Sequence, residues 1–273
     1  MRNFLFTALV WVLAATAATG EDSSALQTLT TGNDNRGWEA VGRLNVGGRS
    51  FCTGALIAPD LVLTAAHCLY NRRNGQLIRA EDIEFLAGWR NGRANAYRGV
   101  GRAVAHPDFE FVQGDRVGRV ANDLALLKLD QPVRKSSVTH FETAKRPRKG
   151  AQVGVVSYGR DRAESPSLQE VCHVLARQSG TLVLSCDVDF GSSGAPVFTI
   201  DEDGRARIVS VISSKADIRG RPVALGTSLQ KPLAELRAIM ASKPLDDPAS
   251  KTTARVFTLA PRNQGSGPRF IRP

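Results

Sequence analysis

Long apolar runs are nearly missing from this sequence. Beyond an N-terminal segment, no stretch approaches the ~20 residues that a membrane-spanning helix needs, so no membrane insertion is expected of the mature chain. Aromatic residues are scarce at 6%, while glycines number 25, a balance that suits many tight turns better than a helical bundle. There is no C-x-x-C or H-x-x-H spacing to support zinc. No EF-hand-like spacing surrounds carboxylates such as Asp82 and Glu84, which leaves calcium unsupported. No metal or other cofactor is therefore expected. No basic motif with interleaved aromatics appears, and the lysines and arginines behind the net charge of +10 are scattered among Asp and Glu. That pattern reads as a solvated basic surface, with no nucleic-acid partner. No internal repeat is evident.

What is present reads as an exported globular protein. Arg2 precedes an apolar run from Phe4 to Ala15, and the small residues Ala15-Thr16-Ala17 suit a signal peptidase. Residues 1–20 are read as a signal peptide, which places the mature chain outside the cytoplasm, secreted or periplasmic in a bacterium. Residues 21–36 are polar and are expected to form a flexible leader or pro-segment. Folded sequence is expected over 37–244, and a basic, mobile tail over 245–273. Within the folded part, short strand-like runs alternate with turn signals: Ala40–Asn45, Ser50–Ile57, Leu61–Thr64, Ile83–Ala87, Asp123–Leu129, Gln152–Tyr158, Thr181–Ser185, Ala195–Ile200, Arg207–Ser213 and Val223–Leu229. Runs of this length and spacing predict an all-β barrel or sandwich. A single helical turn is expected over Ala65–Tyr70. A short helix is expected over Pro232–Ala241, where Leu233, Leu236, Ile239 and Met240 share a face and Pro stands near the start. The polar, basic segment at about 131–150 would connect two halves.

The four cysteines are Cys52, Cys68, Cys172 and Cys186. An even number in an exported chain predicts two disulfides, and three pairings are open.

Three segments carry chemistry, and they occur in the order Leu63-Thr64-Ala65-Ala66-His67-Cys68, Asn122-Asp123-Leu124-Ala125-Leu126-Leu127 and Gly191-Ser192-Ser193-Gly194-Ala195-Pro196. Singly, each is an ordinary turn or strand end. Together, with Cys52-Thr53-Gly54-Ala55-Leu56-Ile57 before the histidine and His106-Pro107 before the aspartate, the chain resembles the chymotrypsin/trypsin-like serine peptidases from about Trp38 to Met240. The order His, Asp, Ser is that family's. The Gly-Ser-Ser-Gly variant is similar to the bacterial branch that includes the staphylococcal glutamyl endopeptidases.

The resemblance implies two packed antiparallel β-barrels with a short C-terminal helix, and a serine endopeptidase acting on protein or peptide substrates. The chain is expected to be a monomer. His67, Asp123 and Ser193 would form the triad. A serine hydroxyl attacks a carbonyl only when a base takes its proton, imidazole suits that task near neutral pH, and the aspartate fixes the imidazole tautomer. The backbone N–H groups of Gly191 and Ser193 would form the oxyanion hole. The disulfides implied are Cys52–Cys68, as in the family, and with it Cys172–Cys186. The S1 pocket would be built from Asp187, Ser213, Ser214, Lys215 and Gly226, and Ser213 would also bond Asp123. A buried carboxylate at Asp187, six residues before Ser193, would favour Arg or Lys at P1. Asp189 competes for that role, a solvated Asp187 would carry no preference, and Lys215 would weaken one by pairing with Asp187. Ile212 stands where glutamyl enzymes have His. Ser192 stands where the digestive and clotting enzymes have Asp, and no Ile-Val-Gly-Gly-like activation site precedes Cys52, so their activation ion pair is not expected. Two other classes compete: a catalytically silent binding protein on the same fold, and a basic adhesin.

Overall fold

The computed structural model describes residues 23–48, 50–111, 117–242 and 256–258. The expected signal peptide and all but three residues of the expected tail lie outside these. In chain order the strands are β1 (Gln27–Thr28), β2 (Val41–Val46), β3 (Ser50–Ala58), β4 (Leu61–Thr64), β5 (Ile83–Ala87), β6 (Ala96–Ala105), β7 (Ala125–Leu129), β8 (Glu142–Thr143), β9 (Gln152–Gly159) and β10 (Arg162–Gln178). They continue as β11 (Thr181–Leu184), β12 (Pro196–Ile200), β13 (Ala206–Ile218), β14 (Arg221–Ser228) and β15 (Val256–Thr258). A four-residue helix α1 (Val117–Val120) precedes β7, and α2 (Gln230–Ala241) follows β14.

The strands close into two six-stranded antiparallel barrels. The first runs β6-β5-β2-β3-β4-β7, with β7 returning to pair with β6. The second runs β10-β11-β14-β13-β12-β9, with β9 pairing back to β10. Closure removes exposed strand edges, and inward residues fill each interior. Val41, Phe85, Val100 and Leu127 lie in the first core, and Val155, Val174, Leu184 and Val209 in the second. The first core continues across the seam, taking in Val156, Tyr158, Phe198 and Val211 of the second barrel. Trp38, Phe141 and Phe198 pack there as one aromatic cluster, with Phe198 ring centroids 5.0 and 4.7 Å from the other two.

Two long strands, β6 and β10, were not among the expected runs. β6 reads polar because Tyr97, Arg98 and Arg102 interrupt it, and Pro166 within β10 argues against a central strand. In β10 the register shifts between Arg162 and Ser167, so Pro166 falls where its missing N–H removes no ladder bond. Arg102 is buried because it turns inward to the end of α2, donating to the carbonyls of Ile239, Met240 and Ser242 at 3.0, 2.9 and 2.8 Å. A cation on these terminal carbonyls satisfies orphan acceptors and suits the helix dipole.

Residues 23–36 differ from the expected flexible leader. β1 pairs with β10, the Ser24 N–H donates to the Val171 carbonyl at 2.8 Å, and Leu29 is only 2% exposed. Backbone pairing and one apolar anchor hold the segment, neither of which its polar composition reveals. Of the expected mobile tail, β15 is described and pairs antiparallel with β6 through Val256 and Val104.

Candidate active site

The register of β4 against β7 brings the first two candidate residues together. Thr64 pairs with Ala125, so the chain leaving β4 and the chain entering β7 emerge side by side. A 3-10 turn over Ala66–Leu69, inside the expected Ala65–Tyr70, places His67, and Asp123 sits just ahead of β7. Asp123 is 1% exposed and His67 9%. The Asp123 carboxylate meets His67 twice: Oδ2 lies 2.7 Å from Nδ1, and Oδ1 accepts the His67 backbone N–H at 2.8 Å. Ser213 Oγ donates to the same Oδ2. Thr227 Oγ1 donates to the carbonyls of Val120 and Asp123 at 2.6 and 3.2 Å, fixing the backbone beneath the carboxylate.

Burial by itself would raise the Asp123 carboxyl, but the neighbouring His67 and the hydrogen bonds from His67 and Ser213 outweigh it, holding the group below its ordinary value. The anionic form is thereby kept, with acceptor lone pairs aimed at one side of the imidazole.

Ser193 arrives from the second barrel on the loop between β11 and β12. Its carbonyl accepts the Thr53 N–H at 2.8 Å, while the neighbouring Gly194 N–H donates to Ile212 at 2.8 Å. The loop is therefore stitched to β3 on one side and β13 on the other. Gly194 has φ +81°, and a Cβ there would fall 2.1 Å from Thr64 Oγ1. Gly191, at φ +99°, would meet the Phe51 ring at 2.3 Å. Only glycine permits both the turn and this approach. Ser193 is half-buried and its Oγ makes no hydrogen bond to another described residue. The N–H groups of Gly191 and Ser193 likewise donate to no described group, whereas the intervening Ser192 N–H is used by the Asp189 carbonyl at 2.9 Å. His67 and Gly191 line one cleft of about 210 Å³.

Both disulfides form with the implied pairings, at S–S distances of 2.03 Å for Cys52–Cys68 and 2.00 Å for Cys172–Cys186. The first ties the His67 turn to β3. The second joins β10 to the start of the Ser193 loop.

The S1 candidates divide. Ser213 is buried on Asp123, Ser214 beside it is half-buried, and Gly226 pairs with Ile212 across β13 and β14. Asp187 is exposed, not buried, and its backbone N–H donates to Gln169 Oε1 at 2.7 Å. Lys215 is exposed too, and no ion pair joins it to Asp187 among the described residues. Asp189 is exposed, with its carboxylate turned onto the Phe190 N–H at 2.7 Å.

Two residues at this site were not singled out in the sequence. Thr53 is fully buried and joins both barrels to the loop: its Oγ1 donates to the Gly191 carbonyl at 2.9 Å and accepts the Tyr158 N–H at 3.0 Å. It lies inside the Cys52-to-Ile57 motif, which was the available signal. Arg162 folds over Gly159 and donates to the Ser157 carbonyl at 2.6 Å and to Ser192 Oγ at 3.2 Å. Burial lowers its guanidinium's pKa, opposed by the charges of Asp187 and Asp189. No local pattern marks it.

Two groups of described residues bring potential metal ligands together. In one, Cys52 and Cys68 flank His67, but their sulfurs are joined to each other. In the other, His106 bonds Glu235 at 2.8 Å through Nε2 and accepts the Asp108 N–H at Nδ1, so both ring nitrogens are engaged. Asp82, considered for calcium, pairs instead with Arg79 at 2.9 Å.

The trypsin family model matches residues 31–221. A trypsin of Sarcophaga bullata is 35% identical over 111 residues, which cover 40% of this chain and 39% of that protein. A glutamyl endopeptidase of Bacillus licheniformis is 26% identical over 149 residues, 54% of this chain and 45% of that protein. The chain thus matches less than half the length of these relatives. Among solved structures, a Glu endopeptidase in complex with MPD superposes with a TM-score of 0.65 at 18% identity, over 81% of this chain and 98% of the other. That likeness carries the fold.

Proposed function

Since the chain belongs to the trypsin family, we propose that it is an exported serine endopeptidase that cleaves protein or peptide substrates with His67, Asp123 and Ser193. The observation that carries this reading is the buried Asp123 carboxylate gripped by His67 Nδ1, the His67 N–H and Ser213. With Nδ1–H engaged, Nε2 is the nitrogen left to act as base. It takes the Ser193 Oγ proton as Oγ bonds the substrate carbonyl carbon, then gives that proton to the departing amine as the C–N bond breaks. Water repeats the cycle on the acyl-enzyme. The developing oxyanion is received by the unengaged N–H groups of Gly191 and Ser193. Arg162, held against Ser192, positions that loop from within the barrel, where the family's digestive members rely on an ion pair at this point.

A phosphonate or sulfonyl fluoride probe tests the reading. It is expected to label Ser193 once and to abolish hydrolysis, with no adduct on Ser193→Ala. A folded, disulfide-intact protein that resists the probe and cleaves nothing would overturn it. The silent-binding alternative draws on the Ser193 hydroxyl, which makes no bond to His67, and the same probe decides between them.

The finer parts of the proposal are a peptidase domain over 37–244 with its connection at about 131–150, export by the segment 1–20, and a preference for Arg or Lys at P1 through Asp187. Because Asp187 is exposed, the preference expected is modest, about fivefold over Ala. The glutamyl relatives suggest an acidic P1 instead. A panel with Arg, Lys, Glu, Phe and Ala at P1 decides, and no advantage for Arg or Lys removes Asp187 from the site.

A further inference from the structure

We propose that the leaving-group side of this site selects substrates with acidic residues just beyond the cleaved bond, through Arg72 and Arg160. The inference rests on the peptidase reading and deepens it. The cleft of about 210 Å³ that holds His67 and Gly191 is lined also by the Cys52–Cys68 bridge, Arg72, Arg160 and Phe190. The strand Ser213–Lys215 and Gly226, the proposed acyl-side wall, take no part in it. A peptide whose acyl half follows that wall therefore lays its departing half in this cleft, on the side of the imidazole that protonates the amine.

The cleft's charge is of one sign. Phe190 is 53% exposed, and its ring carries two guanidiniums, with Arg160 Cζ 4.4 Å and Arg72 Cζ 5.9 Å from its centroid. Arg160 lies in the turn between β9 and β10, and Arg72 follows the His67 turn, so one aromatic ring gathers cations from both barrels. No lining residue is acidic. Past Ser50 and Arg72 the cleft continues into a groove of about 530 Å³ that holds Arg73 and Arg79. Arg79 is already paired with Glu81 and Asp82, but Arg72, Arg73 and Arg160 have no carboxylate partner among the described residues. The nearby Asp189 turns one carboxylate oxygen onto the Phe190 N–H and makes no ion pair with Arg72 or Arg160 among the described residues. Guanidiniums without carboxylate partners, beside a reacting bond, match carboxylates in geometry and charge.

The test uses the full chain and internally quenched peptides identical before the cut, with Asp, Glu, Ala or Lys at the first and second positions after it. An ester substrate that lacks those positions reports the chemistry alone. Wild type is expected to favour the acidic peptides over the Lys peptides about fivefold in kcat/KM at low salt, the ratio shrinking as salt rises. In Arg72→Glu/Arg160→Glu the ratio should invert, and in Arg72→Gln/Arg160→Gln it should fall to about one. Being a ratio, it does not depend on how much of a variant folds. No acidic preference in a protein that cleaves the ester, or one that survives charge reversal, overturns this proposal alone. Failure to cleave the ester as well overturns the peptidase reading and this inference with it.

Discussion

At Thr53 a single hydroxyl serves two barrels, since it donates to Gly191 and accepts from Tyr158. Thr53→Val keeps the shape and strands both partners in a buried place. A buried group left unsatisfied costs about 1–3 kcal/mol, so the urea midpoint should fall. The Gly191–Ser193 loop loses its tether, so labelling of Ser193 by a sulfonyl fluoride should slow about tenfold. Unchanged labelling would show that the loop holds its shape without Thr53. Arg162→Met keeps most of the apolar stem but removes the guanidinium from Ser192. If Arg162 positions the oxyanion loop, kcat should fall about tenfold with KM little changed, and Lys should restore part of it. A rise in KM alone would point to a merely structural effect. His67, Asp123 and Ser193 stood out in the sequence because their flanking residues form compact motifs. Thr53 lies inside one of those motifs, but its role rests on bonds to Gly191 and Tyr158 more than a hundred residues on, and that of Arg162 on Ser192 in another loop.

Between neighbouring elements, the Cys172–Cys186 bridge clamps the middle of β10 to the Ser193 loop across a separation of 14 residues. A loop of that length constrains the unfolded chain by about 3 kcal/mol. Cys172→Ala/Cys186→Ala should therefore lower the melting temperature by about 10 °C in a chain of this size. A shift of only one or two degrees would mean that the contacts of β10 with β9 and β11 suffice. The β12–β13 hairpin offers a pH test. The Asp201 carboxyl is held down to about 2 by hydrogen bonds from Arg207 and the Arg205 N–H. A carboxyl depressed in the folded state favours folding while ionised, so its contribution is complete above its unfolded value near 4 and disappears as pH falls through about 2. The melting difference between wild type and Asp201→Asn should be constant above pH 5 and close below that window. A difference that persists at pH 2 would count against the assignment. Short strand-like runs between turn signals made ten strands legible, two of them, Leu61–Thr64 and Ile83–Ala87, to the residue. β6 and β10 escaped because the Arg102 guanidinium is hydrogen-bonded to the carbonyls ending α2 and Pro166 sits at a register shift, facts that no local window contains.

Across the whole molecule the first barrel's apolar core extends over the seam into part of the second. Phe198, on β12, packs against Trp38 and Phe141 at the seam. Phe198→Ala should cost about 3–5 kcal/mol, because the void would open where neither barrel can collapse without the other. A single calorimetric transition shifted downward is expected. Two separated transitions would show that the barrels melt independently and would refute a common core. Sequence alone determined the family resemblance, the all-β class, the His–Asp–Ser order and the cysteines available for bridging, because those depend on residue type and local period. Tertiary structure decided that Asp187 is exposed, that Ser24 to Leu29 run along β10 of the second barrel, and that Arg72 and Arg160 meet at one ring. Burial, register and the convergence of charges from separate barrels are properties of closed sheets, and no stretch of chain carries them before the sheets close.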